Sequence, residues 1–219
     1  MARVQGERGR DIAGASARTA RPREGVAGLD VLDESFYDRP VLAVAPALLG
    51  CVVVHGDCAG RIVETEAYHH SEPACHAYVG VTPRTEVLWG PPGMAYIYRS
   101  YGIHALLNAV CEPSGVGAAV LIRALEPLWG VELMRFRRGG AAGVANGPGK
   151  LTQALGVELG EHGTSLVSGP IQILAGEPMP YVTGPRIGIT KAAELPWRFC
   201  AVGSRDVSRP WPPGLLGAR

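Results

Sequence analysis

Glycine and proline interrupt this sequence so often that few segments leave room for a long helix. The chain contains 30 glycines and 18 prolines among its 219 residues, and both residue types favour turns and the ends of elements. Hydrophobic residues nevertheless make up 47% of the chain, which is typical of a globular protein with a buried core. We therefore predict many short elements joined by turns within one folded domain.

Alternating and β-branched runs mark the predicted strands, at 51–55, 61–68, 95–98, 118–124 and 171–174. Helical segments are predicted at 33–37, 40–49, 128–137 and 150–155. Because strands and helices do not alternate regularly, the pattern predicts an α+β fold. The expected architecture is a single domain on a curved, mostly antiparallel β-sheet with peripheral helices.

The ends of the chain differ in composition from its middle. Residues 1–28 are rich in Arg, Gly and Ala and show no apolar periodicity, which predicts a flexible tail. We expect the folded domain to cover 29–210, followed by a short C-terminal tail over 211–219.

Charge and cysteine content argue against several protein classes. The formal net charge is only +1, so a nucleic-acid partner would have to bind to a local patch. The five cysteines include no C-x-x-C pair, which argues against a disulfide framework and a structural zinc module. No apolar run reaches membrane-spanning length and no signal segment is recognisable, so we expect a cytoplasmic protein without membrane contact.

The run RIVETEAY at 61–68 brings two carboxylates together on one predicted strand. Strict alternation places four side chains on one face: Ile62, Glu64, Glu66 and Tyr68. This face could be a solvated sheet edge, or it could hold a general base in a cleft. Alternation alone does not choose between Glu64 and Glu66.

Arg123 stands alone in the apolar run 118–126. If it is buried, it needs a carboxylate partner, and Glu64 or Glu66 could serve. A structural ion pair and support of catalysis are both open at this point.

Tyrosines are concentrated between the GPPG turn at 90–93 and Gly102. Tyr96, Tyr98 and Tyr101 could simply pack in the core. They could also form a stacking platform followed by an apolar wedge at 101–103, as base-flipping enzymes require.

Two other functions compete with base flipping. A metal-dependent hydrolase could use Glu66 with His69, His70 and His76, although no H-E-x-x-H spacing is present. A nucleic-acid-binding module without catalysis is the second alternative. The GPGK turn at 147–150 lacks the P-loop spacing, but a helix N-terminus with Lys150 could hold one backbone phosphate.

Several strings together resemble the alkyladenine (3-methyladenine) DNA glycosylase family, the single-domain type without a helix-hairpin-helix motif. They are RIVETEAY at 61–68, His76, TPR at 82–84, GPPG at 90–93, YIYRSYGIHALLN at 96–108, VLIRALEP at 120–127, GPGKLTQALG at 147–156 and RIGITKAAELPWRF at 186–199.

The resemblance implies a DNA repair enzyme that excises alkylated purines from double-stranded DNA without a cofactor or metal. Because the chain has only two lysines and neither matches a Schiff-base nucleophile, we predict a monofunctional enzyme, and we expect a monomer. Glu66 matches the residue that activates water, while Arg123 and the backbone carbonyl of Ile187 match further contacts of that water. A cationic, alkylated purine is a good leaving group, so one carboxylate can suffice for an oxocarbenium-like transition state.

The resemblance also assigns the residues around the substrate. Tyr68, His76 and Tyr98 match the walls of the base pocket, and Asn108 matches the residue that clashes with the 2-amino group of guanine. Tyr101 matches the side chain that fills the gap left by the flipped nucleotide, at a turn with Gly102 and Ile103. The matches near the DNA backbone are Thr82, Arg84 and Lys150.

Overall fold

The computed structural model describes residues 28–100 and 102–217. The predicted flexible tail therefore lies outside the described residues except for Gly28, and so does Tyr101. Within the described ranges no helix is long and apolar enough to cross a membrane.

The described chain forms short helices and mostly short strands. The helices are α1 Glu34–Tyr37, α2 Val41–Ala47, α3 Val131–Arg137 and α4 Pro148–Leu155. The strands are β1 Val52–His55, β2 Cys58–His69, β3 Ala95–Ser100, β4 His104–Val110, β5 Ala118–Trp129, β6 Ile171–Leu174, β7 Tyr181–Gly184 and β8 Arg198–Ala201. Short 3₁₀ turns cover His76–Val79, Glu86–Trp89 and Leu159–Glu161.

All described strands belong to one curled antiparallel sheet, so the predicted α+β fold is confirmed. The main order is β3-β4-β5-β2-β1-β6, and β8 links β2 to β7. Strand β2 pairs with β5 along one edge, while its other edge pairs first with β1 and then with β8. Strand β2 therefore lies at the junction of the sheet, and its middle is covered on both edges.

Helices α2 and α4 close the main hydrophobic core on one side of the sheet. The core includes Ile62, Leu107 and Ile122 from the strands and Leu151 from α4, all fully buried. A second cluster on β2 and β8 includes Val63 and Cys200. Leu215, in the predicted C-terminal tail, is also buried in this second cluster.

The prediction that Ile62 shares a face with Glu64 and Glu66 is wrong. Ile62 packs in the main core with Ala67, whereas Val63 packs in the second cluster. The register of β2 against β5 shifts on both sides of Glu64, as in a β-bulge, and an extra residue exchanges the faces of a strand.

The helix predicted over 128–137 begins three residues too early, because α3 starts at Val131. Leu128 and Trp129 still belong to β5. Gly130 makes the turn with a left-handed φ of 67°, and a Cβ there would lie 2.2 Å from the carbonyl oxygen of Asp57. The glycine therefore separates strand from helix.

The core position of Leu107 in β4 gives a test of the fold. Leu107→Ala removes a fully buried side chain and should lower the free energy of unfolding by about 2–5 kcal/mol in urea denaturation. Leu42→Ala, at a residue that is 42% exposed, should cost less than about 1 kcal/mol. Equal losses for the two variants would contradict the described core.

Candidate active site

A cavity of about 580 Å³ opens beside β3, β4 and β5. Its size suits a small-molecule or nucleobase ligand. The N-terminal turn of α4 and the loop 187–189 complete its wall. The predicted site residues that line the cavity are Tyr68, His76, Arg84, Tyr98, Asn108, Arg123, Lys150 and Ile187.

Glu66 lies directly behind this wall and is fully buried. Its Oε2 accepts hydrogen bonds from the Tyr68 hydroxyl at 2.8 Å and forms an ion pair with Nη1 of Arg123 at 3.1 Å. Its Oε1 accepts from the backbone N–H of Ile187 at 2.7 Å. All three partners line the cavity, so the carboxylate is held by groups that themselves border the cavity.

The contact with Ile187 involves a different atom from the one the resemblance indicated. The N–H of Ile187, rather than its carbonyl, binds Glu66. A role of the carbonyl toward a water molecule stays a prediction.

Glu64 occupies a separate, wholly buried position. It accepts from Nε of Arg123 at 2.8 Å and from Nε of Arg198 at 2.7 Å. It also accepts from the backbone N–H of Ser208 at 2.6 Å and from the Ser208 hydroxyl at 2.8 Å. The solvated-edge interpretation is therefore wrong. The expectation that a buried Arg123 pairs with Glu64 or Glu66 is confirmed, since it pairs with both.

Arg198 is a functional neighbour that sequence reasoning missed. It is a single charge between Trp197 and Phe199 in a stretch whose aromatic residues indicate burial. The same argument that marked Arg123, a lone arginine among apolar residues, could have found it. With Arg198 included, two arginines balance the two carboxylates of β2.

Burial and charge fix the protonation states around Glu66. Burial, the adjacent charge of Glu66 and the hydrogen bond to it raise the pKa of Tyr68 far above neutrality, so its hydroxyl remains a donor. Burial alone would lower the pKa of Arg123, but the charges of Glu66 and Glu64 outweigh this effect and raise it.

Aromatic rings form part of the cavity wall. The His76 ring meets the Tyr98 ring edge-on at 4.5 Å between centroids, and its Nδ1 lies 3.0 Å from the Tyr96 hydroxyl. Burial, with a smaller contribution from Arg84, lowers the pKa of His76 to about 4, so this ring is neutral at pH 7. The side-chain amide of Asn108 donates to the carbonyl of Tyr96 at 2.9 Å, and this hydrogen bond fixes the orientation of the side chain.

The core-packing interpretation is confirmed for Tyr96, whereas the stacking interpretation of Tyr98 and Tyr101 stays a prediction. Tyr96 is almost fully buried in a side cluster with Cys75 and Leu88, whereas Tyr98 is only partly buried and faces the cavity. Tyr101 lies outside the described residues. Its neighbours are described: Gly102 has a left-handed φ of 72°, and Ile103 is 75% exposed.

Of the three predicted DNA-backbone residues, Arg84 and Lys150 line the cavity and Thr82 does not; their role toward DNA stays a prediction. Arg84 is exposed, with its guanidinium 5.5 Å from the Tyr98 ring centroid. Lys150 lies in the first turn of α4 and donates to Oδ1 of Asn146 at 2.9 Å. Thr82 is engaged in a turn, where its hydroxyl lies 2.9 Å from that of Thr85, and it does not line the cavity.

The histidines proposed for a metal site are dispersed. His69 and His70 stack on each other at 4.2 Å, while His76 faces Tyr96 across the cavity wall. In the parts of the chain that the structure describes, no three His, Cys, Asp or Glu side chains are grouped to hold a metal ion.

Comparison with known proteins extends the family resemblance to most of the chain. Residues 35–205 match the family model described as Methylpurine-DNA glycosylase (MPG).

A protein of Rhodopseudomonas palustris strain HaA2 is 52% identical over 200 residues, which is 90% of this chain and 98% of its own length. A protein of Methanoculleus marisnigri is 50% identical over 81% of this chain and 98% of its own length. Both carry the name of a candidate 3-methyladenine DNA glycosylase. The chain therefore belongs to the methylpurine-DNA glycosylase family.

Proposed function

We propose that this protein flips alkylated purines, 3-methyladenine and 7-methylguanine among them, out of duplex DNA and hydrolyses their N-glycosidic bonds to leave an abasic site. Family membership gives the enzyme class, a DNA glycosylase of DNA repair. The observation that carries the proposal is the buried carboxylate of Glu66, held by three cavity-lining donors at the edge of a tyrosine-walled cavity.

Glu66 has the contacts that a water-activating carboxylate needs. A carboxylate offers about four acceptor sites, and Tyr68, Arg123 and Ile187 supply three donors. One acceptor site therefore remains for a water molecule, which Glu66 deprotonates as the glycosidic bond breaks. The same negative charge stabilises the oxocarbenium-like sugar. The chain contains only two lysines, Lys150 and Lys191, and neither matches a Schiff-base nucleophile, which supports a monofunctional enzyme.

The cavity favours a purine that carries a positive charge. The ring faces of Tyr68 and Tyr98 attract a cationic base by about 1–2 kcal/mol when it is desolvated. His76 does not oppose this attraction, because its lowered pKa keeps it uncharged. Asn108 lines the cavity, where it excludes the 2-amino group of an unmodified guanine.

We place the DNA along the hairpin tip and the N-terminal turn of α4. Tyr101 fills the stack behind the flipped nucleotide, with Gly102 allowing the turn and Ile103 adding an apolar surface. Arg84 and Lys150 neutralise phosphates, and Thr82 shapes the adjoining turn. We expect a monomer that acts on chromosomal DNA in the cytoplasm.

Release of bases from alkylated DNA tests the function itself. The protein is incubated in EDTA with duplex DNA treated with a methylating agent, and freed bases are separated by chromatography. We expect 3-methyladenine and 7-methylguanine in the supernatant and an alkali-labile, uncut strand. Activity that is lost on chelation and restored by zinc would instead support a metal-dependent hydrolase.

Removal of the charge on Glu66 tests the mechanism. Glu66→Gln should slow single-turnover release of 3-methyladenine by about 1,000-fold or more, because the general base is lost, while the Kd for damaged duplex stays within about threefold. The matched control is Glu126→Gln, at a partly exposed glutamate of neighbouring strand β5, which should retain the wild-type rate. Wild-type excision by Glu66→Gln would disprove this mechanism and favour a binding role.

Asn108 gives a test of base selection. Asn108→Ser shortens the side chain and should raise the release of unmodified guanine, relative to 3-methyladenine, by about tenfold or more. Single-turnover assays on duplexes with one defined base measure this ratio. An unchanged ratio would mean that Asn108 does not discriminate against guanine.

A further inference from the structure

A second buried ion pair lies next to the catalytic groups and has no part in the chemistry described so far. Nη1 of Arg186 donates to Oε1 of Glu72 at 2.6 Å, and Nη2 donates to Oε2 at 3.0 Å. Arg186 is only 4% exposed and Glu72 only 5%. Stability alone is a weak reason for such a pair, because apolar replacements of buried ion pairs are often neutral or stabilising.

The guanidinium of Arg186 also contacts the segment that carries Glu66. Its Nη1 donates to the carbonyl of Ala67, the residue between Glu66 and Tyr68, at 2.9 Å. Its central carbon lies 4.6 Å from the centroid of the Tyr68 ring, and this ring lines the cavity. The guanidinium therefore supports both the backbone next to Glu66 and one wall of the base pocket.

The residue that follows Arg186 makes the contact that matters for Glu66. The N–H of Ile187 binds Oε1 of Glu66 at 2.7 Å. Nη2 of Arg186 further donates to the carbonyl of Ala192 at 3.2 Å, which ties the following loop to the same guanidinium. A planar guanidinium fixed by several partners leaves the 186–187 peptide little freedom to turn its N–H away.

We propose that Glu72 and Arg186 are positioning residues for base excision: they hold the Ile187 N–H on Glu66 and the Tyr68 ring against the cavity. Neither side chain lines the cavity, so they act through the groups that do. The kinetic consequence rests on the proposed function, whereas the orientation of the Ile187 N–H does not depend on it.

Kinetics of Glu72→Gln and Arg186→Lys test this role. Both variants should slow single-turnover release of 3-methyladenine by about tenfold to 100-fold, because small displacements of reacting groups have effects of that size. The Kd for damaged duplex should stay within about threefold. Matched controls come from the partly exposed pair Arg61–Glu126 on β2 and β5: Arg61→Lys and Glu126→Gln should retain the wild-type rate within about twofold.

Amide hydrogen exchange at Ile187, measured by NMR on ¹⁵N-labelled protein, gives a readout that needs no activity. Exchange of this N–H should become about tenfold faster or more in Glu72→Gln and Arg186→Lys, and should not change in the two controls. Unchanged exchange at Ile187 in both variants, or a wild-type excision rate in both, overturns the proposal. A wild-type protein that releases no base while its Ile187 amide responds as predicted would contradict the proposed function and still support the positioning role.

A paired replacement keeps the test decisive if a single variant does not fold. Glu72→Leu combined with Arg186→Met removes both charges and leaves no unpaired buried ion. Thermal denaturation checks that this double variant is folded. We expect it to show the same fast exchange at Ile187 and slow excision, and a wild-type rate in the folded double variant would refute the proposal.

Discussion

The site depends on one arginine that is shared between two buried carboxylates. Nε of Arg123 binds Glu64 and its Nη1 pairs with Glu66, although all three groups are almost completely shielded from water. Two adjacent carboxylates could not both be buried and ionised without such compensation, because the cost of removing each charge from water is several kcal/mol. Arg123 and Arg198 together balance the charge of Glu64 and Glu66, and this balance offsets the cost of burying both carboxylates next to the cavity.

The fold supplies this arrangement through the middle of β2. The register shifts around Glu64 turn that residue toward Arg198 and Ser208, so the C-terminal segment is attached directly to β2. Glu66, two residues further on, faces Tyr68, Arg123 and the N–H of Ile187 instead. Two carboxylates two residues apart thus have different surroundings: Glu64 is enclosed by structural partners, and Glu66, the proposed catalytic residue, is held by groups that line the cavity.

Local patterns predicted part of this structure. The strand at 171–174 and most of β2, β3 and β5 could be read from β-branched and alternating residues, and Gly50 and Gly156 mark helix ends near the predicted positions. Strand β4 was missed, since HALLNAV is as compatible with a helix as with a strand. The bulge in β2 could not be predicted, because an extra residue is defined only against the register of the partner strand. For the same reason alternation could not separate Glu64 from Glu66, and the family resemblance was needed to favour Glu66.

The central claim is that excision depends on where the Glu66 carboxylate is held as well as on its charge. Glu66→Asp keeps the charge and withdraws the carboxylate by one methylene from the Ile187 N–H. The decisive measurement is the single-turnover rate of 3-methyladenine release by this variant at saturating enzyme, with its Kd for damaged duplex measured in parallel. The account predicts a rate about 100-fold below wild type at a nearly unchanged Kd. A rate within about twofold of wild type would contradict it.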